Sequence, residues 1–123
     1  MKYRSVSFMG STQGDIDSWP EDVGEMIKTN LQALQGAKSN SFSNLPDWIN
    51  SGKVTDKKLK GKKLEGSSQL TVKHRNSYRV VYIAEIEDRI FILHAFKKQT
   101  EGVDKQAMKT VAERLKRVRQ DFG

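Results

Sequence analysis

The sequence predicts an α+β fold: a small, antiparallel-rich sheet with an N-terminal strand and helix, helices packed on one sheet face, and a C-terminal helix. Three observations carry that expectation. Apolar residues recur at helical spacing in two segments, residues 20–36 and 104–118. Three segments between residues 69 and 96 have strand patterns. Only short polar joints separate those three, as hairpins require.

Residues 3–8 alternate polar and apolar and form the first expected strand, and "GSTQGD" after them supplies turn residues. Pro20 suits the first turn of a helix, where its missing N–H costs nothing; Glu21, Asp22 and Glu25 complement the positive helix end. Val23, Met26, Ile27, Leu31 and Leu34 make one buried stripe, and Gly36 stops the helix. Residues 38–56 read as an insertion, a loop or short helix that docks back through Phe42, Leu45, Trp48 and Ile49, with "LPDWINSG" as its helical part. A basic stretch follows, broken by Gly61 and Gly66. The three strands then run over 69–74, 78–85 and 89–96, joined by "RNS" and "EIED". Asp104 caps the last helix, whose inward stripe is Ala107, Met108, Val111, Ala112, Leu115 and Val118.

A chain of 123 residues, 36% hydrophobic and 30% charged, fits one globular domain spanning residues 1–123. No apolar run approaches the ~18 residues of a membrane helix, and "MKYRSVSFMG" alternates too early for a signal peptide. Without cysteine there are no disulfides or thiolate metal sites, which fits a reducing, cytoplasmic location. Two histidines and scattered carboxylates show no metal-ligand spacing, and glycine-rich phosphate loops and nucleophile elbows are absent, so no cofactor is expected.

The charge is uneven. Residues 53–79 hold nine cations (Lys53, Lys57, Lys58, Lys60, Lys62, Lys63, Lys73, Arg75 and Arg79) against Asp56 and Glu65. That excess of seven is the whole net charge of +7, since the rest balances at thirteen against thirteen. Clustered cations concentrate polyanions nearby. Alternation puts Thr71, Lys73 and Arg75 on one strand face. With Arg79 on the next strand, and Lys97 and Lys98 ending the last, a face left open by the helices becomes a phosphate-binding candidate. Arg79, in an otherwise apolar strand, needs a fixed partner: an anion, or a salt bridge to Glu85 or Glu87. His94 alternates with Ile90, Ile92 and Phe96, the pattern of a core ring, whereas His74 lies near a strand end.

"KKLKG", "LTVKHR" and "SYRVVYIAEIEDRIFILHAFKKQT" resemble the RelE/ParE superfamily of type II toxins, and within it the phage-derived, HigB-type (RelE-like) branch. Four motifs recur in order: "PEDV" at Pro20, a K-x-L-x-G turn ending at Gly61, "YRVVY" from Tyr78, and "LHAFKK" ending at Lys98. They cover about residues 19–100.

The resemblance implies a ribosome-dependent, metal-independent mRNA endonuclease in which a ribose 2′-hydroxyl attacks the neighbouring phosphate. Its partners would be the ribosome, messenger RNA and a cognate helix-turn-helix antitoxin. Matched by position, Arg79 contacts the scissile phosphate, Lys73 and Lys98 supply further cations, and His74 or His94 moves the proton. Lys57, Lys58, Lys60, Lys62, Lys63, Arg75 and Lys97 would bind RNA and ribosome. The chain departs from the pattern in having no tyrosine after Lys98, and Thr71 where some relatives have lysine. Two other readings share the fold or the charge: a ParE-like, non-catalytic gyrase inhibitor, and a non-catalytic RNA-binding module. Tyr78 and Tyr82 alternate with Arg79 and give the latter no stacking platform.

Overall fold

The computed structural model describes residues 5–36, 54–74, 76–86, 89–98 and 104–122, and their side chains except at 33–36, 74, 85 and 86. In chain order the elements are β1 (Ser5–Phe8), α1 (Thr12–Asp17), α2 (Glu21–Gly36), β2 (Val54–Lys58), a 3-10 turn (Lys62–Leu64), β3 (Ser67–His74), β4 (Asn76–Ile86), β5 (Arg89–Lys98) and α3 (Lys105–Phe122). The five strands form one sheet in the order β1-β5-β4-β3-β2, antiparallel except where β1 joins β5 in parallel. The α+β class, the N-terminal strand and the C-terminal helix are as expected.

Placement of the helices on one face is corrected. Ile16 of α1 and Val23, Ile27 and Leu31 of α2 pack with Val80, Tyr82 and Ala84, whereas Val111, Leu115 and Val118 of α3 pack with Val81 and Ile83. β4 is apolar on both sides over this stretch, so each side requires a cover. The two faces are called here the α2 face and the α3 face.

Two elements replace expected loops. "GSTQGD" does turn at Gly10, with φ of +57°, but continues into α1 because Thr12 and Ile16 are buried and Ser11 Oγ donates to Asp15 Oδ2 at 2.9 Å. β2 takes residues 54–56 from the expected insertion and Lys57 and Lys58 from the basic stretch. Its one apolar side chain, Val54, is fully buried opposite Val72, and an edge strand needs little more. Residues 38–53, including the helix expected at "LPDWINSG", lie outside the described residues, as do 3–4 and 75.

Local signals elsewhere act as read. Asp104 Oδ1 accepts the Ala107 N–H at 3.0 Å, which caps α3, and the buried stripe Ala107, Val111, Leu115, Val118 follows. The first helical bond of α2 runs from the Gly24 N–H to the Pro20 carbonyl at 3.0 Å. The β3–β4 joint is tighter than "RNS" suggested, since pairing continues to His74 opposite Asn76.

Candidate functional site

Register decides which cations share a surface. On the α3 face, Val81 and Ile83 meet α3, and the alternation that aims them there aims Arg79 and Ser77 the same way. Pairing extends this into three rows across the strands. Lys73 lies opposite Ser77, and Ser77 opposite Lys98. Thr55, Thr71, Arg79 and Phe96 form the second row, and Lys57, Gln69, Val81 and His94 the third. Strands about 4.8 Å apart put the Lys73 and Lys98 backbones about 10 Å from one another, with Arg79 one row in, about 7 Å along the strand.

Arg79 is half-buried, and its Nε donates to Ser77 Oγ at 3.2 Å. That bond ties the guanidinium to the row holding Lys73 and Lys98. The side chains of Glu85 and Glu87, the alternative salt-bridge partners for Arg79, lie outside the described residues. Lys73 is exposed and Lys98 half-buried. Thr71, where some relatives carry lysine, is buried between Thr55 and Arg79, and Gln69 Nε2 donates to its Oγ1 at 3.3 Å.

His94 reaches this face through an irregularity that alternation does not foresee. Val81 pairs with His94 but Tyr82 with Ile92, so β5 carries an extra residue, Leu93, at that point. The bulge shifts the phase of the pleat. Ile90 and Ile92 stay in the α2-face core, Leu93 enters the α3-face core, and His94 lies on the α3 face. Its ring stacks on Phe96, with centroids 5.1 Å apart and planes 21° apart. Phe96 stands opposite Arg79, so the imidazole occupies a position diagonal to the guanidinium. Burial and then the Arg114 charge hold His94 below the usual imidazole range, against the opposite pull of Asp15 and Asp104. The ring is therefore neutral at neutral pH. The core ring expected from alternation is instead half-buried.

The remaining sequence candidates divide. Lys57 lies on the α3 face, in the third row. Lys58 and Lys97 pair opposite Ser68 and Tyr78 and so belong to the α2 face. Lys60, Lys62 and Lys63 are exposed beyond the end of β2, remote from Lys73 and Lys98. There Lys62 and Lys63 line a cavity of about 520 Å³ with Lys116, Arg119 and Glu113 of α3. The His74 side chain and Arg75 lie outside the described residues.

Sequence reading passed over Ser77, Phe96 and Arg114. Register could have found the first two, since any hairpin pairing Lys73 near Lys98 places a β4 residue between them. It also passed over a half-buried acid on the other face. Tyr82 Oη donates to Asp56 Oδ1 at 2.8 Å. Burial lifts the Asp56 carboxyl to about 6, opposed by that bond, the Lys57 backbone bond and the Lys58 charge, while burial and Asp56 push the Tyr82 phenol upward.

Among the described residues no helix is long and apolar enough to cross a membrane. No curated protein and no solved structure matches the chain. A family model does: "Phage derived protein Gp49-like (DUF891)" matches residues 14–116, which take in β2 to β5, every row of the cationic face and most of α3. The chain belongs to the Gp49-like phage-derived family, a family associated with RelE-like toxins.

Proposed function

We propose that the protein is the toxin of a type II toxin–antitoxin system, of the HigB-type branch, and that it is an mRNA endonuclease acting on the ribosome. The supporting observation is the register that gathers Lys73, Arg79, Lys98 and His94 on the α3 face. Family membership supports the same reading.

The chemistry follows from that arrangement. A base removes the ribose 2′-proton, the 2′-oxygen attacks the adjacent phosphorus, and the 5′-oxygen leaves, giving a cyclic phosphate and a 5′-hydroxyl. Charge builds on the crowded phosphate, and Arg79 is central to it, held by Ser77. Lys73 and Lys98, on either side of Ser77, neutralise the flanking phosphate, and the ammonium nearer the leaving 5′-oxygen gives it the proton that makes the 5′-hydroxyl. His94, neutral at neutral pH, is in the form a general base requires. The nucleophile belongs to the substrate, so the protein's task is positioning and electrostatics.

The test is cleavage of a defined message on translating ribosomes, with 5′-end mapping. Arg79→Ala should lower cleavage on the order of 10²–10³-fold and leave the fold unchanged by circular dichroism. Full cleavage by that variant refutes the assignment of Arg79. If the wild-type protein cuts nothing but stalls gyrase supercoiling, the ParE-like reading replaces this one.

A further inference from the structure

A histidine that moves protons is usually oriented by a hydrogen bond to its second nitrogen. His94 Nδ1 is buried and has no hydrogen-bond partner among the described residues. The ring must therefore be oriented by its backbone and by stacking on Phe96. The backbone is the bulge, and the bulge is held from outside the sheet. Arg114, on α3, donates from Nη1 to the Leu93 carbonyl at 2.7 Å. An extra residue in a ladder is left without its strand partner, and this donor supplies one. The same guanidinium lies against Gly10, at the turn after β1, where a Cβ would come within 2.7 Å of Nη2. Glycine at position 10 leaves room for it. Arg114 thus ties α3, the bulge and the β1–α1 turn together.

We propose that Arg114 is a positioning residue: by holding the Leu93 bulge it keeps the His94 ring on the face that carries Arg79. The proposal rests on the nuclease reading for its catalytic consequence, but not for its structural content. Without the clamp, β5 is free to resume simple alternation, which turns His94 toward the α2-face core occupied by Ile90 and Ile92. The charges facing the ring are Arg114 from α3, Asp15 from α1 and Asp104 at the start of α3.

Two variants separate the clamp from the charge. Arg114→Gln retains a donor for the Leu93 carbonyl and removes the cation; Arg114→Ala removes both. NMR on the full-length protein follows the His94–Phe96 ring contacts and the His94 titration. Arg114→Ala should lose the ring contacts and lower message cleavage on the order of 10²-fold, as displacement of a reacting group by about 1 Å does. Arg114→Gln should keep the contacts and most of the cleavage, with the His94 titration and the acidic limb of the pH profile moved upward. Ring contacts that survive in Arg114→Ala overturn the proposal. If Arg114→Ala does not fold, loss of the contacts in a folded Arg114→Gln overturns it equally. A wild-type protein that cuts no message, with the NMR result as expected, removes the nuclease reading and leaves the positioning claim standing.

Discussion

On the α2 face of the sheet, Val23, Ile27 and Leu31 close over Val72, Val80 and Tyr82, and one hydrogen-bonded acid, Asp56, is folded into the margin. On the α3 face the helix covers Val81, Ile83, Phe91 and Leu93 but leaves the rows of Lys73, Arg79 and Lys98 beyond it. The same strands make both surfaces, and the alternation of the pleat separates them, with its phase reversed in β5 at the Leu93 bulge. Strands apolar on both sides at one end and on one side at the other become a packed body with an open, cationic end. Stability and candidate chemistry therefore occupy different parts of one sheet, which perturbations of graded size can test.

The largest effect belongs to the closed face. Ile27 is fully buried against the sheet, and Ile27→Ala should cost about 2–5 kcal/mol through lost burial and the cavity left behind. Urea unfolding reads this as a lower midpoint with an unchanged slope. Affinity for RNA, measured below the transition, should remain that of the wild-type protein. A matching loss of RNA affinity would show that the two faces are not independent.

A smaller effect comes from the acid in that same packed layer. A carboxyl held at about 6 in the fold, against 3.8 when free, binds its proton more tightly in the native state. Its stabilising contribution is therefore present below the unfolded value and is lost as pH rises through about 6. Asp56→Asn keeps an acceptor for the Tyr82 hydroxyl and carries no charge. The variant should exceed the wild-type protein by on the order of 1 kcal/mol at pH 7.5, the full shift being reduced because the carboxyl is partly exposed. The difference should shrink toward zero near pH 4. A gap that stays constant across this range would place the cause in packing rather than in ionisation.

How far the residues announced this structure varies with the kind of signal. Helix α3 was legible because Asp104 and the stripe through Val118 are local and periodic. Strands β3 to β5 were legible from their apolar runs. β2 was not, since "VTDKK" carries one apolar anchor and its pairing is a long-range event. α1 is six residues long and takes its stability from buried Thr12 and Ile16, not from helix propensity. Among the candidate residues, Lys73 and Arg79 share a face as simple alternation predicts, whereas Lys98 joins them only because the extra residue in β5 reverses the pleat before it. His94 was misread because a single extra residue reverses the pleat. Arg114 had no sequence signal, being one more cation on a basic helix.

The smallest effect on stability should come from the open face, and it sharpens the contrast most. Lys73 is exposed at the end of β3, level with Ser77 and Lys98. Surface substitutions of this kind change stability by no more than about 0.5 kcal/mol. If Lys73 meets a phosphate, Lys73→Ala should still weaken single-stranded RNA binding and reduce the salt slope by about 0.7, because one fewer counterion is released. Lys97→Ala is the matched control, the same charge change on β5, two strands away, but on the α2 face opposite Tyr78. It should leave the slope unchanged. Equal slopes for the two variants would mean that RNA responds to overall charge alone, and the parity of the pleat would lose its functional meaning.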